Sequence, residues 1–430
     1  MVTDNTTYGV AIDLGTTTIA GSLVELRTQK SIKSTSLPNP QSEYGKDVIS
    51  RIEAVGNDPE ALDRLQWLVA EAISKIIKNL TNDDEATLGA ITHITVAGNS
   101  VMEHILHGVS PEPMGQIPYR PAFKEPRSVK AKEIGINLNA ATELYTLPMV
   151  GGFVGGDAVA ATVALGIDNA NLDDGNILAI DIGTNTEIIL SAEGRLMATA
   201  AAAGPAFEGG EIASGMTAEA GAISAITIDG DDIKLAIIGD VKKPKGICGS
   251  GLISTVSELL KAGIIDESGR IKDPSEVETN LSTRIISSEQ DNHFILYRDA
   301  TSELALGQAD VRALQTAKAS IRAGIETLLA KAKINTSKLK KIFITGAFGS
   351  NIYTSNLFTI GLLDADWKEQ VEAAEIITNA ALQGAEIALT KEGKERIEGT
   401  AKNTTYVPLS GTKGFEADFI EHTNFPSTEK

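Results

Sequence analysis

Residues 178–190, Leu-Ala-Ile-Asp-Ile-Gly-Thr-Asn-Thr-Glu-Ile-Ile-Leu, repeat a pattern already present at residues 10–23, Val-Ala-Ile-Asp-Leu-Gly-Thr-Thr-Thr-Ile-Ala-Gly-Ser-Leu. Each copy is an apolar strand ending in Asp13 or Asp181, then a glycine (Gly15, Gly183) and three small polar residues (Thr16, Thr17, Thr18; Thr184, Asn185, Thr186). A second apolar run follows, which is the grammar of a β-hairpin. Glycine lets a ligand approach the backbone closely. Successive amides and hydroxyls of such a turn can donate to phosphate oxygens. A carboxylate beside them would repel phosphate unless a cation lay between, so Asp13 and Asp181 point to Mg2+, a hard ion that takes oxygen ligands. The plainer reading is two buried hairpins with Asp and Thr as turn formers. One short glycine motif is weak grounds for choosing, whereas two copies 168 residues apart favour a nucleotide clamp.

The composition fits that direction. The 430 residues are 42% hydrophobic but only 4% aromatic, with 40 glycines, as expected of an α/β protein of two or three domains. A net charge of −19 argues against a nucleic-acid-binding surface and against adsorption to an anionic membrane. No stretch approaches the ~20 apolar residues of a membrane span, so no membrane partner is expected and the cytoplasm is the expected location. Cys248 is the only cysteine, which excludes an intrachain disulfide and a four-cysteine iron–sulfur cluster within this chain.

Along the chain, Asp47–Ile52 reads as a short helix. Residues 59–80 form a longer one, with Leu62, Leu65, Val69, Ile73, Ile76 and Leu80 at steps of three and four. A strand at 91–96 turns through Ala97-Gly98-Asn99-Ser100 into a helix at 101–107. His104 and His107, one turn apart there, read as packed residues rather than a metal pair, since no acidic or thiol ligands join them. Five prolines within 108–126 make that segment extended. Asp157 leads an Ala-rich helix, 158–165, and either caps it or orients an attacking water at the phosphate site.

After the second hairpin, the Gly-rich run 203–211 (Gly204, Gly209, Gly210) is expected to feed a helix. Gly249-Ser250-Gly251 opens another helix, where it holds an anion or makes a tight loop. Residues 308–333 are the strongest helix, with Val311, Leu314, Ile321, Ile325 and Leu328 on one face and Lys and Arg opposite. The strand at 342–345 runs into Gly346-Ala347-Phe348-Gly349, placed to pass beneath a nucleoside at a strand's carboxyl end. A helix near 368–389 precedes a tail in which Phe415, Phe419, Ile420 and Phe425 are the candidates to pack.

This order of motifs resembles the actin-like ATPase (ASKHA) superfamily: phosphate-1, connect-1, phosphate-2, adenosine and connect-2. The resemblance implies an α/β, two-lobed, ribonuclease H-like fold of duplicated mixed β-sheets flanked by helices. Lobe I would span 1–170 and lobe II 171–430, with the C-terminal helix and tail packing back on lobe I. It also implies ATP and Mg2+ as ligands, Asp13 and Asp181 at the metal, and Asp157 as the catalytic connect-1 acid, one methylene shorter than the Glu of chaperone ATPases. A narrower likeness rests on Asn39-Pro40-Gln41, Tyr44-Gly45, Asp47 to Ile52, Ala97 to Met102 with His104, Gly155-Gly156-Asp157, Gly246 to Leu252, Gln315, Lys318 and Phe425-Pro426. These segments resemble RACo, the reductive activators of corrinoid proteins.

The RACo likeness implies ATP-driven return of a methyl-transferring corrinoid protein from Co(II) to Co(I), by a homodimer. RACo-like proteins usually also carry a ferredoxin-like [2Fe–2S] domain. No cysteine precedes Cys248, so the electron is expected from a separate iron–sulfur protein or from a domain outside this sequence. Rival readings are a small-molecule kinase, a chaperone-like or filament-forming ATPase, and a dehydratase activator, the last disfavoured by the single cysteine.

Overall fold

Apolar runs too continuous to alternate between core and water become central strands of the two large sheets: Val10, Ile12 and Leu14 are fully buried, as are Leu178 and Ile180. The structure, a computed structural model, describes residues 6–169, 175–288, 291–346, 353–368 and 376–427. Strand Tyr8–Leu14 pairs antiparallel with Thr18–Glu25, which pairs antiparallel with Lys30–Pro38. On its other side Tyr8–Leu14 runs parallel to Ile91–Gly98, and Glu143–Thr146 and Arg127–Lys130 complete six strands.

The second six-stranded sheet repeats the plan. Arg195–Ala202, Asn185–Ala192 and Asn176–Ile182 are successive neighbours, and Leu339–Gly346 and Ile376–Thr378 follow beyond the strand carrying Asp181. Thr404–Tyr406 adds an edge strand, parallel to Arg195–Ala202. The duplication visible in the sequence is therefore a duplication of whole sheets, in the mixed α/β form expected. Two smaller three-stranded sheets lie between residues 222–247 and 285–307.

Helix Ala61–Thr81 buries Leu65, Val69, Ile73, Ile76 and Leu80, and ends where Asn82 takes the left-handed conformation. Helix Val48–Asn57 starts in a capping box: Asp47 accepts from the Ser50 amide at 2.8 Å, and the Ser50 hydroxyl accepts from the Asp47 amide.

Contacts divide the chain into two compact units: Met1–Ala179 with Ile189–Ala200 and Asn379–Pro408, and Ile180–Ile188 with Ala201–Thr378 and Leu409–Lys430. This departs from a single boundary at residue 170. Residues 379–408 belong to the first unit because helix Ala380–Ile387 meets helix Gly156–Ala164 almost backbone to backbone. A Cβ on Gly384 would fall 2.1 Å from the Ala160 carbonyl oxygen. The tail from 409 groups with the second unit instead.

Three local expectations are corrected. The run 203–211 closes as one 3-10 turn, Pro205–Glu208, followed by no longer helix. The helix placed near 368–389 is not continuous: Lys368 is helical, residues 369–375 lie outside the described residues, and the strand Ile376–Thr378 interrupts the span before helix Ala380–Ile387. In helix Gln308–Ala332 the basic residues do not all face water, since Lys318 and Arg322 are each 1% exposed. Lys318 Nζ donates to the carbonyls of His422 and Asn424, both at 2.6 Å, and Gln315 donates to Thr423 at 2.9 Å. Burial, followed by the nearby Arg322, pulls the Lys318 ammonium down to about 7. Of the tail's apolar residues Phe425 is buried, whereas Ile420 is 72% exposed.

Candidate functional site

In the first unit, Asp13 pairs with Ala97 and Leu14 with Gly98 across the parallel strands, so both strands end together. The Gly15–Thr18 turn leaves that end, and a Cβ on Gly15 would fall 2.5 Å from the Thr18 carbonyl oxygen, a contact only glycine avoids. The turn is held from behind by three residues. Asn39 donates its side-chain amide to the Gly15 carbonyl at 2.9 Å and its backbone amide to the Thr17 carbonyl at 2.8 Å. The fully buried Arg51 donates to the Thr16 carbonyl at 2.6 Å, and also to Gly45 and Gln41. Asn99 donates to the Thr16 hydroxyl at 2.8 Å. With these carbonyls and that hydroxyl engaged from behind, the turn's shape is set in advance.

Asp157 lies at the same end of this unit. Its helix is capped by Gly155, so Asp157 sits within the first turn, part exposed, and accepts from the Ala158 amide at 2.8 Å. Gly155 passes so near strand Ile91–Gly98 that a Cβ there would meet the Gly98 carbonyl oxygen at 2.3 Å. Glu103 is buried beneath the junction and accepts from the Gly98 amide at 3.2 Å, with its other oxygen unpartnered. Burial, then the charge of Asp157, raises the Glu103 carboxyl well above the usual range. The histidines serve packing. His104 donates through Nδ1 to the Ser100 carbonyl at 2.6 Å, accepts the Ala122 amide through Nε2 at 2.9 Å, and stacks on Phe123. His107 Nε2 bonds the Thr146 hydroxyl at 2.8 Å.

The second unit carries the Asp181–Thr186 turn. The Thr186 hydroxyl donates to the Gly183 carbonyl at 3.2 Å, closing it. The segment Gly204–Glu208 grips Thr184 on both sides: the Gly204 amide donates to its carbonyl at 3.0 Å, and its own amide donates to Glu208 Oε1 at 2.7 Å. Strand Leu339–Gly346 ends against the Asp181 strand, where a Cβ on Gly346 would fall 2.1 Å from the Ile182 carbonyl oxygen. Ala347, Phe348 and Gly349 lie outside the described residues.

Other predicted glycines are explained by packing. A Cβ on Gly209 would strike the Met216 carbonyl oxygen at 2.1 Å, and one on Gly210 would strike Pro205 at 2.6 Å. Gly249 and Gly251 would meet the Phe207 and Ile223 carbonyl oxygens at 1.7 and 2.0 Å, and Ser250 is buried against Cys248. Beyond them a cavity of about 380 Å³ is lined in part by Ser254, Glu258, Lys261, Tyr353 and Asn356.

Burial pushes the Asp181 carboxyl up to about 6. Because its folded pKa exceeds its unfolded value, the nucleotide-free protein loses stability as pH rises from about 4 through about 6. Asp181→Asn is therefore expected to raise the melting temperature at pH 7.5, by an amount worth about 1–3 kcal/mol, and to flatten its pH dependence. A variant that melts lower than the parent at that pH would contradict this.

Sequence reading missed Asn39, Arg51, Asn99, Glu103 and Glu208 as site residues. Arg51 carried a signal: it falls with Val48, Ile52 and Val55 on the buried face of its helix. Comparison with known proteins then decides the family. Residues 8–170 match the RACo middle region, and residues 175–430 match the C-terminal ASKHA domain of RACo. The chain belongs to the RACo family. Among RACo relatives, the corrinoid activation enzyme RamQ of Eubacterium limosum is 30% identical over 97% of this chain and 70% of its own. The [Co(II) methylated amine-specific corrinoid protein] reductase of Methanosarcina barkeri is 23% identical over 93% of this chain and 73% of its own. A solved reductive activator for a corrinoid, iron–sulfur protein superposes with a TM-score of 0.88 at 33% identity, covering 99% of this chain and 67% of that one. The fold is the ASKHA fold. Among the described residues no helix is long and apolar enough to cross a membrane.

Proposed function

We propose that this RACo member uses ATP to drive one-electron reduction of a corrinoid protein from Co(II) to Co(I), the electron coming from a separate iron–sulfur protein or domain. The observation that carries the reading is the Asp–Gly–Thr turn present twice, at equivalent places in a duplicated sheet plan, in a chain that matches RACo from residue 8 to 430. Relatives named for corrinoid activation and Co(II) corrinoid reduction support the partner.

In this reading the amides and hydroxyls of Gly15–Thr18 and Gly183–Thr186 receive phosphate oxygens. Asp157 orients the attacking water and accepts its proton. Gly346 lines the nucleoside. Asp13 and Asp181 offer hard carboxylate oxygens beside threonine hydroxyls, a donor set suited to Mg2+ held largely through water, though among the described residues no three His, Cys, Asp or Glu group tightly enough to hold a metal alone. The ion, when bound, offsets phosphate charge. ATP binding and hydrolysis bias the surface offered to the corrinoid protein by differential affinity, in a cytoplasmic homodimer.

The test mixes the chain with a Co(II) corrinoid protein and an external low-potential reductant, and records the visible spectrum. The Co(I) spectrum is expected only with ATP. Phosphate transfer to a small acceptor in place of phosphate release, or Co(I) formation without ATP, would sink the proposal.

A further inference from the structure

The turn Pro205–Glu208 does more than brace the second hairpin. Thr184 lies at the centre of that hairpin's polar turn, and its amide is one of the donors a phosphate would require. In the structure that amide is already bonded, at 2.7 Å, to a carboxylate oxygen of Glu208. The same oxygen lies close to Gly183, where a Cβ would meet it at 3.2 Å. The other carboxylate oxygen is buried and has no hydrogen-bond partner.

A carboxylate is the internal group most like a phosphate oxygen pair: anionic, planar and an acceptor only. One N–H cannot serve both fully, and two anions on one turn repel each other. We infer that Glu208 is an affinity-setting residue of the phosphate site, an internal occupant of the Thr184 amide that a nucleotide phosphate must displace. The inference rests on the assignment of Gly183–Thr186 as a phosphate-binding turn.

Displacement has a route outward. Glu208 ends a turn whose backbone abuts helix Gly249–Lys261, with the Gly249 Cα so close that a Cβ would lie 1.7 Å from the Phe207 carbonyl oxygen and 3.2 Å from the Glu208 nitrogen. A turn packed that tightly cannot shift without moving the start of the helix.

The competing role for Glu208 is a plain staple that steadies the turn. The two roles predict opposite signs. Glu208→Gln keeps an acceptor oxygen and the side-chain length but removes the charge, while Glu208→Ala removes both. Binding of ATP, ADP and adenosine to the full 430-residue chain is measured by calorimetry with and without Mg2+, alongside thermal melting of each variant. The expected result is ATP and ADP affinity at least tenfold higher in Glu208→Gln, with adenosine affinity unchanged. Glu208→Ala reproduces the gain wherever its melting curve shows it folded.

Unchanged or weaker ATP binding in a folded Glu208→Gln overturns the inference. Weakening seen only with Mg2+ overturns it too, and makes Glu208 a metal-site residue. Absence of ATP binding in the parent chain is a different failure, because it removes the phosphate-site assignment itself.

Discussion

Asp157→Asn is expected to lower ATP hydrolysis and ATP-dependent Co(I) formation by roughly a hundredfold to ten-thousandfold, the range for loss of a positioned general base. ATP affinity is expected to change little, because in the proposed reading the phosphate oxygens are received by backbone amides and hydroxyls elsewhere. The structure narrows the alternative that Asp157 is only a cap. The cap position belongs to Gly155, and Asp157 stands two residues further in, part exposed beside the carboxyl ends of the strands that carry Asp13 and Gly98. Asparagine can still hold an amide proton but cannot accept one from water. Phosphate release and the corrinoid spectrum, measured on the same preparation, give the answer. Wild-type turnover by Asp157→Asn would return the residue to a purely structural role.

Arg51→Met is expected to destabilise the first unit by about 3–5 kcal/mol, the scale for removing one side of a buried charged network. For a unit of this size that is a fall in melting temperature of roughly 10 °C. Arg51 is fully buried and bonds the Thr16 and Gly45 carbonyls and the Gln41 side chain, so methionine leaves these acceptors without their donor. ATP binding should weaken as well, because the Gly15–Thr18 turn loses the donor that fixes its second carbonyl. Arg51→Lys is expected to rescue little, since an ammonium cannot reproduce the planar fork that reaches several acceptors at once. Unchanged melting in Arg51→Met would show that the network carries no such weight.

The two hairpins were legible in sequence because their chemistry is local: Asp, Gly and Thr stand within six residues of each other, and the whole signal is repeated. Helix Ala61–Thr81 was legible for a similar reason, its apolar period being unbroken. What reading could not supply were partners distant in the chain. Arg51 on an apolar helix face is unusual, but nothing in residues 48–57 says that the Thr16 carbonyl waits for it.

Placing Lys and Arg opposite the apolar face of helix Gln308–Ala332 gave no sign that Lys318 and Arg322 are buried, because another part of the chain brings acceptors to them. Lys318 receives carbonyls from residues more than a hundred positions later. Glu208 belonged to a glycine-rich run that read as a lead into a helix, and only the closed 3-10 turn aims it at Thr184. The strand Ile376–Thr378 did carry a hint, three β-branched residues in succession, that the surrounding helical period masked.

The grouping of residues 379–408 with the first unit and 409–430 with the second has a consequence for synthesis. Chains emerge at ~5–20 residues per second, and domains that end early can fold while the rest is still being made. Here neither unit can. The first waits for the helix that carries Gly384 to close over Ala160, and the second holds the Lys318 ammonium without its acceptors until His422 and Asn424 arrive. For tens of seconds the ribosome displays two sheets with open flanks, which makes the arrival of residues 379–430 the step that commits the protein to its fold.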